Sequence, residues 1–167
     1  MSKVLIIDYE KCVGCQTCVE ACSVKKAGQV NPLLSRIEVV RLHIGLENIP
    51  ITCAQCESAP CTAICPVKAI SRDELLDRVI IDYDICIGCR MCVAACPFGC
   101  MSFDSINKSV FKCDLCDGDP ICVRFCQHDA LQYAEPSEQN VIRQTATAEK
   151  LSRVMRKAAA AMAALEE

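Results

Sequence analysis

The stretch CVGCQTCVEAC occupies residues 12–22, and CIGCRMCVAAC at residues 86–96 repeats its pattern. In both copies three cysteines are separated by two residues each, and a fourth follows after three more. Three thiolates on one tight loop, with a fourth one helical turn further on, are the usual ligand run of a [4Fe–4S] cluster. The two copies belong to a longer internal repeat, residues 6–22 and 80–96, in which eleven of seventeen positions are identical.

Sixteen of the seventeen cysteines fall into four such quartets. The quartets are Cys12, Cys15, Cys18 and Cys22; Cys53, Cys56, Cys61 and Cys65; Cys86, Cys89, Cys92 and Cys96; and Cys113, Cys116, Cys122 and Cys126. Four quartets predict four [4Fe–4S] clusters and therefore an electron carrier. Zinc is the alternative for closely spaced cysteines, but zinc sites use two well-separated pairs. A third cysteine at the same spacing suits an iron–sulfur cubane better.

The residue after the last cysteine divides the quartets into two kinds. Pro66 and Pro97 follow the second and third quartets, whereas Ser23 and Gln127 follow the first and fourth. In proteins with two clusters the fourth cysteine of each run binds the cluster of the other run. We therefore expect the two proline-flanked quartets to exchange ligands, and the other two likewise. The predicted ligand sets are set A, Cys12, Cys15, Cys18 and Cys126; set B, Cys113, Cys116, Cys122 and Cys22; set C, Cys53, Cys56, Cys61 and Cys96; and set D, Cys86, Cys89, Cys92 and Cys65.

This pairing predicts an α+β fold of two ferredoxin-like dicluster lobes, one inserted in the other, plus a C-terminal helix. Residues 1–50 and 98–135 would form the outer lobe, which holds the first and fourth quartets. Residues 51–97 would form the inserted lobe, and residues 136–167 a linker and helix for partner binding or self-association. Apolar and β-branched runs predict strands at 5–7, 37–44 and 79–81, and the segment SRDELLDR predicts a charged turn at 71–78.

Composition limits the possible functions. Cysteine makes up about a tenth of the 167 residues, aromatic residues are only 4%, and tryptophan is absent. Small domains with few large apolar side chains need a covalent or metal staple, so we expect the cluster-free chain to be largely unfolded. The formal charge is −3, and four oxidised clusters of about −2 each would bring it near −11. Nucleic acid is thus excluded as a partner, and a basic patch on a redox enzyme is favoured.

The chain starts MSKVLIIDYEKC, with no charged-then-apolar leader, and no window holds eighteen uninterrupted apolar residues. We therefore expect a cytoplasmic protein without a membrane span. In a reducing cytosol, clustered cysteines indicate metal binding rather than disulfide bonds.

The last part of the chain, residues 145–167, is rich in alanine and predicts a helix with one apolar stripe. The stripe comprises Leu151, Val154, Met155, Ala158, Met162 and Leu165. An isolated helix of this length is only marginally stable in water, so something must cover the stripe. Docking on a partner subunit or a second copy is favoured because the helix follows a linker; folding back onto the chain's own body is the alternative. Contacts between copies would give a second function, an assembly scaffold of joined clusters.

Several residues beside the quartets could act on the clusters. Cys100 is the seventeenth cysteine and is predicted to be a buried structural thiol, with a spare ligand as the alternative. His43 and His128 are predicted to be surface side chains, although His128 lies close enough to Cys126 to influence a cluster. Three cations adjoin ligands and are either solvated loop charges or groups that favour a reduced cluster. They are Lys11, Arg90 and Lys112.

The sequence shows no Ser/His/Asp set, no phosphate loop and no dinucleotide fingerprint, so a non-catalytic electron-transfer subunit is predicted. The order of the quartets resembles the iron–sulfur subunits of molybdenum and tungsten oxidoreductases over residues 3–133. That resemblance implies the same pairing of first with fourth and second with third quartets. It is strongest to the small polyferredoxin subunit of tungsten aldehyde oxidoreductases, with benzoyl-CoA reductase second.

The resemblance implies a tungsten- or molybdenum-pterin catalytic subunit as partner, and a flavin/NAD subunit or ferredoxin as the second redox partner. Formate dehydrogenase, hydrogenase and a free-standing soluble polyferredoxin are the alternatives.

Overall fold

The computed structural model describes residues 3–42, 47–136, 148, 151–153 and 155–156. The chain divides into two compact units, Met1–Ala134 and Glu135–Glu167. The described residues of the first unit form eight strands: β1 Val4–Ile7, β2 Ile37–Arg41, β3 Asn48–Thr52, β4 Ile70–Asp73, β5 Arg78–Ile81, β6 Ser102–Asp104, β7 Ser109–Phe111 and β8 Leu131–Ala134. Its α-helices are α1 Thr17–Ala27, α2 Pro60–Ile64, α3 Met91–Ala95 and α4 Ile121–Arg124. Short 3-10 turns lie at Tyr9–Lys11, Pro32–Leu34 and Leu115–Gly118.

The strands form four separate two-stranded antiparallel sheets. Three are hairpins of consecutive strands, β2–β3, β4–β5 and β6–β7. The fourth joins β1 to β8, with Val4 opposite Ala134 and Ile7 opposite Leu131. This pairing brings the two ends of the first unit together, which places the first quartet next to the fourth. Strand β8 was not predicted, because the short alternation LQYA gives a weak signal without its partner strand.

The charged turn predicted at 71–78 is shorter in the structure. Ser71, Arg72 and Asp73 continue strand β4, and Arg78 begins β5, in register with Asp73. Arg78 Nε donates to Asp73 at 3.0 Å, and Asp73 also accepts from the backbone N–H of Leu75 at 3.0 Å. Asp73 and Arg78 are thus paired strand residues that close the hairpin, and the turn itself lies between them. Strand β2 ends at Arg41, before the predicted end at 44; residues 43–46 lie outside the described part of the chain.

Buried residues of the first unit form two hydrophobic cores, and cysteines from two quartets lie in or pack against each. Helix α1 packs against α4 in the first core, and α2 packs against α3 in the second. The first core comprises Cys18, Val19, Cys22, Ile37, Val39, Cys122 and Leu131, with Cys12 and Cys126 packed on it. The second comprises Ile70, Val79, Cys92, Met101 and Val110, with Cys61, Cys65, Cys86 and Cys96 packed on it. Met101 and Val110 thus belong to the second core, although residues 98–135 were predicted for the outer lobe; the lobe boundaries stay a prediction.

The second unit is described at only a few positions. Ala148, Leu151–Arg153, Met155 and Arg156 are helical, and Arg156 donates to Ser152 at 2.9 Å. Leu151 and Met155 of the predicted apolar stripe are 42% and 64% exposed. The other stripe residues lie outside the described residues, so the covering of this stripe stays a prediction. No helix in the described part of the chain is long and apolar enough to cross a membrane.

Candidate metal centres

The cysteines of set A lie around one cavity. Cys12 and Cys15 come from the loop before α1, Cys18 from its first turn, and Cys126 from the residues after α4. The non-atom space inside this cavity is about 340 Å³. Burial raises the pKa of Cys18 to about 11, and the neighbouring charges of Cys15, Cys12 and Cys126 contribute to the rise. The fourth cysteine of the last quartet is therefore close to the first three of the first quartet.

The cysteines of set C line a second cavity, whose empty space including its open mouth is about 380 Å³. Cys53, Cys56 and Cys61 belong to the second quartet, and Cys96 is the last cysteine of the third. Helix α2 carries Cys61, and Cys96 directly follows α3; these two helices pack against each other. Each of these two cavities therefore brings together cysteines of two quartets.

Set B surrounds the buried Cys122 of α4. Burial raises the pKa of Cys122, and the charges of Cys113, Cys22, Cys116 and Cys18 reinforce this effect. Cys22 comes from the first quartet and is itself buried in the same core. These thiols therefore belong to one neighbourhood, with Cys18 of set A directly beside it.

Set D lies on the second core. Cys92 of α3 is buried, and Cys86 and Cys65 pack against that core. Burial raises the pKa of Cys92, with smaller contributions from the charges of Cys89 and Cys86. Cys89 is exposed. The structure thus places Cys65 of the second quartet against the same core as cysteines of the third.

The two repeated loops share an unusual backbone. Gly14 and Gly88 have φ of +71° and +65°, and Gln16 and Arg90, which directly precede α1 and α3, have φ of +63° and +65°. Left-handed conformations cost an ordinary residue about 1 kcal/mol or more, so Gln16 and Arg90 are held there by their surroundings. These bends curl each loop and bring its first three cysteines to one side.

Hydrogen bonds reach several of the sulfur atoms. The backbone N–H groups of Arg36 and Ala69 donate to Cys22 and Cys65, both at 3.3 Å. Thr17 donates its hydroxyl to Cys15 at 3.5 Å and thereby lowers the pKa of that thiol. Hydrogen bonds to ligand sulfur are one of the means by which a protein sets the reduction potential of a cluster.

The ligand loop of the fourth quartet is held by ion pairs. Leu115, Cys116, Asp117 and Gly118 are four consecutive residues with positive φ. Asp114, just before them, pairs with Lys26 of α1 at 2.8 Å and with Arg36 at 2.7 Å. Burial alone would raise the pKa of Asp114, but these two cations outweigh it and lower the pKa.

Arg78 adds a further connection to this loop. Its guanidinium pairs with Asp117 at 2.6 Å and donates to the carbonyl of Asp114 at 2.7 Å. Because Arg78 begins β5, this contact links the second core to the fourth quartet.

The residues beside the quartets have different surroundings. Cys100 is half-buried, lines the cavity of set C and donates to the carbonyl of Thr52 at 3.1 Å. Burial raises its pKa to about 12, so the structural thiol is the interpretation that fits. His128 is exposed as predicted, yet it also lines the cavity of set A. His43 lies outside the described residues.

The three cations that adjoin quartet cysteines in the sequence also have different surroundings in the structure. Lys11 is half-exposed and pairs with Asp8 at 3.5 Å, and Arg90 stacks over the ring of Phe103 at 4.5 Å. Lys112 is only 3% exposed and lines the cavity of set C. The sequence does not distinguish these three cations, because the burial of a lysine leaves no pattern in the neighbouring residues.

Four cysteine thiols are the donor type that an iron–sulfur cluster takes, and sets A and C each place four around a cavity. Among the described residues, no three His, Cys, Asp or Glu side chains are close enough together to hold one metal ion. The thiols of sets A and C instead surround cavities with mostly apolar walls.

Two family models match the chain. The 4Fe-4S dicluster domain covers residues 44–135, and a 4Fe-4S binding domain covers residues 3–24. The aliphatic sulfonate oxidoreductase polyferredoxin-like subunit of Pyrococcus furiosus is 41% identical over 131 residues, covering 77% of this chain and 75% of the relative. The thiosulfate reductase electron transfer subunit PhsB of Salmonella typhi is 34% identical over 155 residues, covering 84% and 79%.

A solved structure is also similar: the active site complex BamBC of benzoyl coenzyme A reductase with benzoyl-CoA. The likeness covers 90% of this chain and 91% of the other, with 25% identity and a TM-score of 0.46. The matches to the dicluster model and to these electron-transfer relatives confirm the predicted class of cofactor and of protein. The chain belongs to the family of ferredoxin-like [4Fe–4S] electron-transfer subunits of oxidoreductase complexes.

Proposed function

We propose that the chain binds four [4Fe–4S] clusters, one on each of the ligand sets A, B, C and D. The observation that carries the proposal is the composition of the two cavities. Each is lined by three cysteines of one quartet and the last cysteine of another, and Cys100 also lines the cavity of set C. When bound, each cluster supplies a one-electron carrier. The chain's own residues position the thiols, exclude water from the buried ones and donate hydrogen bonds to sulfur.

The neighbouring cysteines indicate the order of the four sets. The charge of Cys18, in set A, contributes to the raised pKa of Cys122, in set B. The charge of Cys53, in set C, likewise contributes to the raised pKa of Cys113, in set B. Sets C and D share the second core, to which Cys61 and Cys65 both contribute. We therefore propose the sequence A–B–C–D for electron transfer, in either direction.

The exposure of the cysteines supports this order. Among the seventeen cysteines, all of which are described, only Cys15 and Cys89 are exposed. Cys15 belongs to set A and Cys89 to set D, the two ends of the proposed row. Each lies in a repeated loop with an exposed apolar side chain, Val13 at 57% and Ile87 at 65%. We propose that electrons enter and leave the chain at these two loops.

For the partner, we propose a tungsten- or molybdenum-pterin catalytic subunit, with an aldehyde oxidoreductase as the first candidate. A flavin/NAD subunit or a ferredoxin would serve the other end, and the complex would be cytoplasmic. The names of the relatives, which include a sulfonate oxidoreductase and a thiosulfate reductase, support a catalytic partner within an oxidoreductase complex. The acidic charge of the loaded chain supports docking on a basic face. The iron–sulfur subunits of benzoyl-CoA reductase, formate dehydrogenase or hydrogenase, or a free-standing polyferredoxin, are the alternatives.

The cluster content is tested by iron and sulfide analysis of anaerobically purified protein. Four cubanes correspond to about sixteen iron atoms and as many sulfides per chain. Little iron or sulfide would refute the proposal.

The exchange of ligands is tested with Cys126→Ala and Cys22→Ala. Cys126→Ala should disturb the cluster of the first three cysteines, and Cys22→Ala that of Cys113, Cys116 and Cys122. The reverse pattern in electron paramagnetic resonance (EPR) would show uncrossed ligation.

The partner is tested by anaerobic affinity isolation from the native cell, with mass spectrometry and metal analysis of the complex. A large subunit that co-purifies with stoichiometric tungsten or molybdenum would support the pterin enzyme. Recovery of the chain without any large subunit would favour the free-standing polyferredoxin. A large partner free of both metals would refute the pterin assignment but leave the electron-transfer role intact.

A further inference from the structure

Lys112 is a lysine enclosed at the junction of three quartets. It follows β7 and directly precedes Cys113, and its residue surface is 3% exposed. Its ammonium donates to the carbonyl oxygens of Val79 and Cys113, the latter at 2.8 Å, and to the side-chain oxygen of Gln55 at 3.4 Å. A lysine ammonium has three hydrogens to donate, so these three acceptors satisfy its hydrogen bonding.

No carboxylate balances this charge in the part of the chain that the structure describes. The ion pairs there involve other cations, and every acceptor of Lys112 is a neutral carbonyl or amide oxygen. A buried charge without an opposite charge is strongly unfavourable, which is why buried lysines normally pair. The enclosed ammonium therefore needs an anion that is not a carboxylate.

The cavity of set C supplies the place for that anion. Lys112 lines this cavity together with Cys53, Cys56, Cys61 and Cys96. Four thiolates around an oxidised cubane carry a net charge of about −2, and reduction makes it more negative by one. The ammonium thus places a buried positive charge at the wall of this cavity, while the less buried Arg72 donates to the carbonyl of Cys56 at 2.9 Å.

Gln55 holds the ammonium in this position. It lies within the ligand loop between Cys53 and Cys56, in a left-handed conformation with φ of +50°. Its side-chain oxygen accepts from the backbone N–H of Val79 at 2.8 Å, and its side-chain nitrogen donates to the carbonyl of Cys113 at 2.9 Å. The amide that contacts Lys112 is therefore fixed at both ends, which keeps the charge at a constant distance from the cavity.

We propose that Lys112 is the internal counter-ion of the cluster bound by set C, and that its charge raises the reduction potential of that cluster relative to the other three. The inference rests on the proposed function and deepens it. A positive charge stabilises the reduced, more negative form more than the oxidised form. Because the charge is enclosed, salt screens it much less than it screens an exposed lysine.

The test is a potentiometric titration of the complete, cluster-loaded chain, followed by EPR. Lys112→Met removes the buried charge with little change in side-chain length. Lys108→Met is the matched control, because it removes the same formal charge from an exposed position. Lys112→Arg keeps the charge, and Lys112→Gln is a second neutral variant whose amide still donates hydrogen bonds. The transition of set C is identified by its change in a Cys56→Ser variant.

We expect Lys112→Met and Lys112→Gln to lower the potential of the set C cluster. At a fixed poise its ratio of reduced to oxidised form should fall at least tenfold, equivalent to about 59 mV for one electron. The shift should persist in high salt. Lys108→Met should leave this transition unchanged, and Lys112→Arg should stay close to wild type.

Two results would overturn the inference while leaving the proposed function standing. One is four intact clusters with an unshifted set C transition in both neutral variants. The other is an equal shift in Lys108→Met, which would show a general effect of net charge. If both neutral variants lose iron, Lys112→Arg decides: iron loss there too would show a role in packing rather than in charge. A wild-type protein without four cluster signals would instead refute the proposed function.

Discussion

Gly14 and Gly88 are equivalent positions of the repeat, but a side chain added at each would meet different neighbours. A Cβ at Gly14 would contact the amide group of Asn48, which is the end of a side chain. A Cβ at Gly88 would lie 2.5 Å from the backbone carbonyl oxygen of Lys108. A side chain can rotate away, whereas a backbone carbonyl at the end of a hairpin cannot do so without moving the hairpin.

We therefore expect Gly88→Ala to be more destabilising than Gly14→Ala. Both substitutions incur about 1 kcal/mol for the left-handed conformation, and Gly88→Ala adds the clash. Gly28→Ala is the control, since Gly28 has φ of +72° and nothing within 4 Å of the added Cβ. Anaerobic thermal unfolding and iron content measure the effect. If Gly88→Ala matches Gly28→Ala, the close approach at Lys108 does not exist in solution.

Asp114 provides a second prediction at the level of single residues. Its carboxylate joins Lys26 and Arg36, whose side chains are only 13% and 15% exposed. Asp114→Asn should destabilise the loaded chain by about 1–3 kcal/mol at neutral pH, because two poorly solvated cations lose their partner. Asp119→Asn breaks the exposed pair with Arg124 and should change stability by about 0.5 kcal/mol or less. Equal effects of the two substitutions in thermal unfolding would contradict the prediction.

Among the elements, strands β4 and β8 each support one core. Leu131 of β8 is 2% exposed in the first core, and Ile70 of β4 is 3% exposed in the second. Helix α1 packs against α4 in the first core, and α2 packs against α3 in the second. The elements therefore group ten of the sixteen quartet cysteines in or against two apolar cores.

This grouping predicts that core substitutions act on one pair of clusters at a time. Leu131→Ala and Ile70→Ala should each cost about 2–5 kcal/mol, as for other buried aliphatic side chains. Leu131→Ala should first weaken the EPR signals of sets A and B, and Ile70→Ala those of sets C and D. Simultaneous loss of all four signals in both variants would show that the two cores unfold as one.

For the whole molecule, the scarcity of large apolar side chains has a direct consequence. The two cores of buried residues consist largely of small aliphatic and cysteine side chains. Four of the cysteines in the proposed sets are themselves core residues, Cys18, Cys22, Cys92 and Cys122. We expect removal of the clusters with a chelator to unfold most of the chain. A native-like circular dichroism spectrum after complete removal of iron would contradict this.

The second unit gives a prediction about assembly. Truncation after Glu135 removes the predicted helical segment 145–167 and leaves all sixteen quartet cysteines in place. We expect the truncated chain to keep its iron content but to lose association with its partner or with a second copy. Light scattering of both chains under the same conditions measures this. An unchanged assembly mass would show that the stripe folds back onto its own chain.

The sequence alone was sufficient to predict the class of cofactor, and it also led to the pairing of the quartets that we propose. Cysteine spacing along the chain is a local property, and so is the proline that follows Cys65 and Cys96. The loops of the repeat are equally local, since Gly14 and Gly88 lie at the turns that need them. These features could be read without knowing which parts of the chain meet.

Only the tertiary structure decided what surrounds each residue. The β1–β8 sheet joins segments more than a hundred residues apart, so no local pattern predicted that these two strands pair. Lys112 and Lys11 both adjoin a ligand cysteine in the sequence, yet one is enclosed and the other half-exposed. The difference depends on Gln55 and Val79, which the chain brings to Lys112 from distant positions. Burial and charge balance are properties of such long-range contacts, and they appear only when the chain is folded.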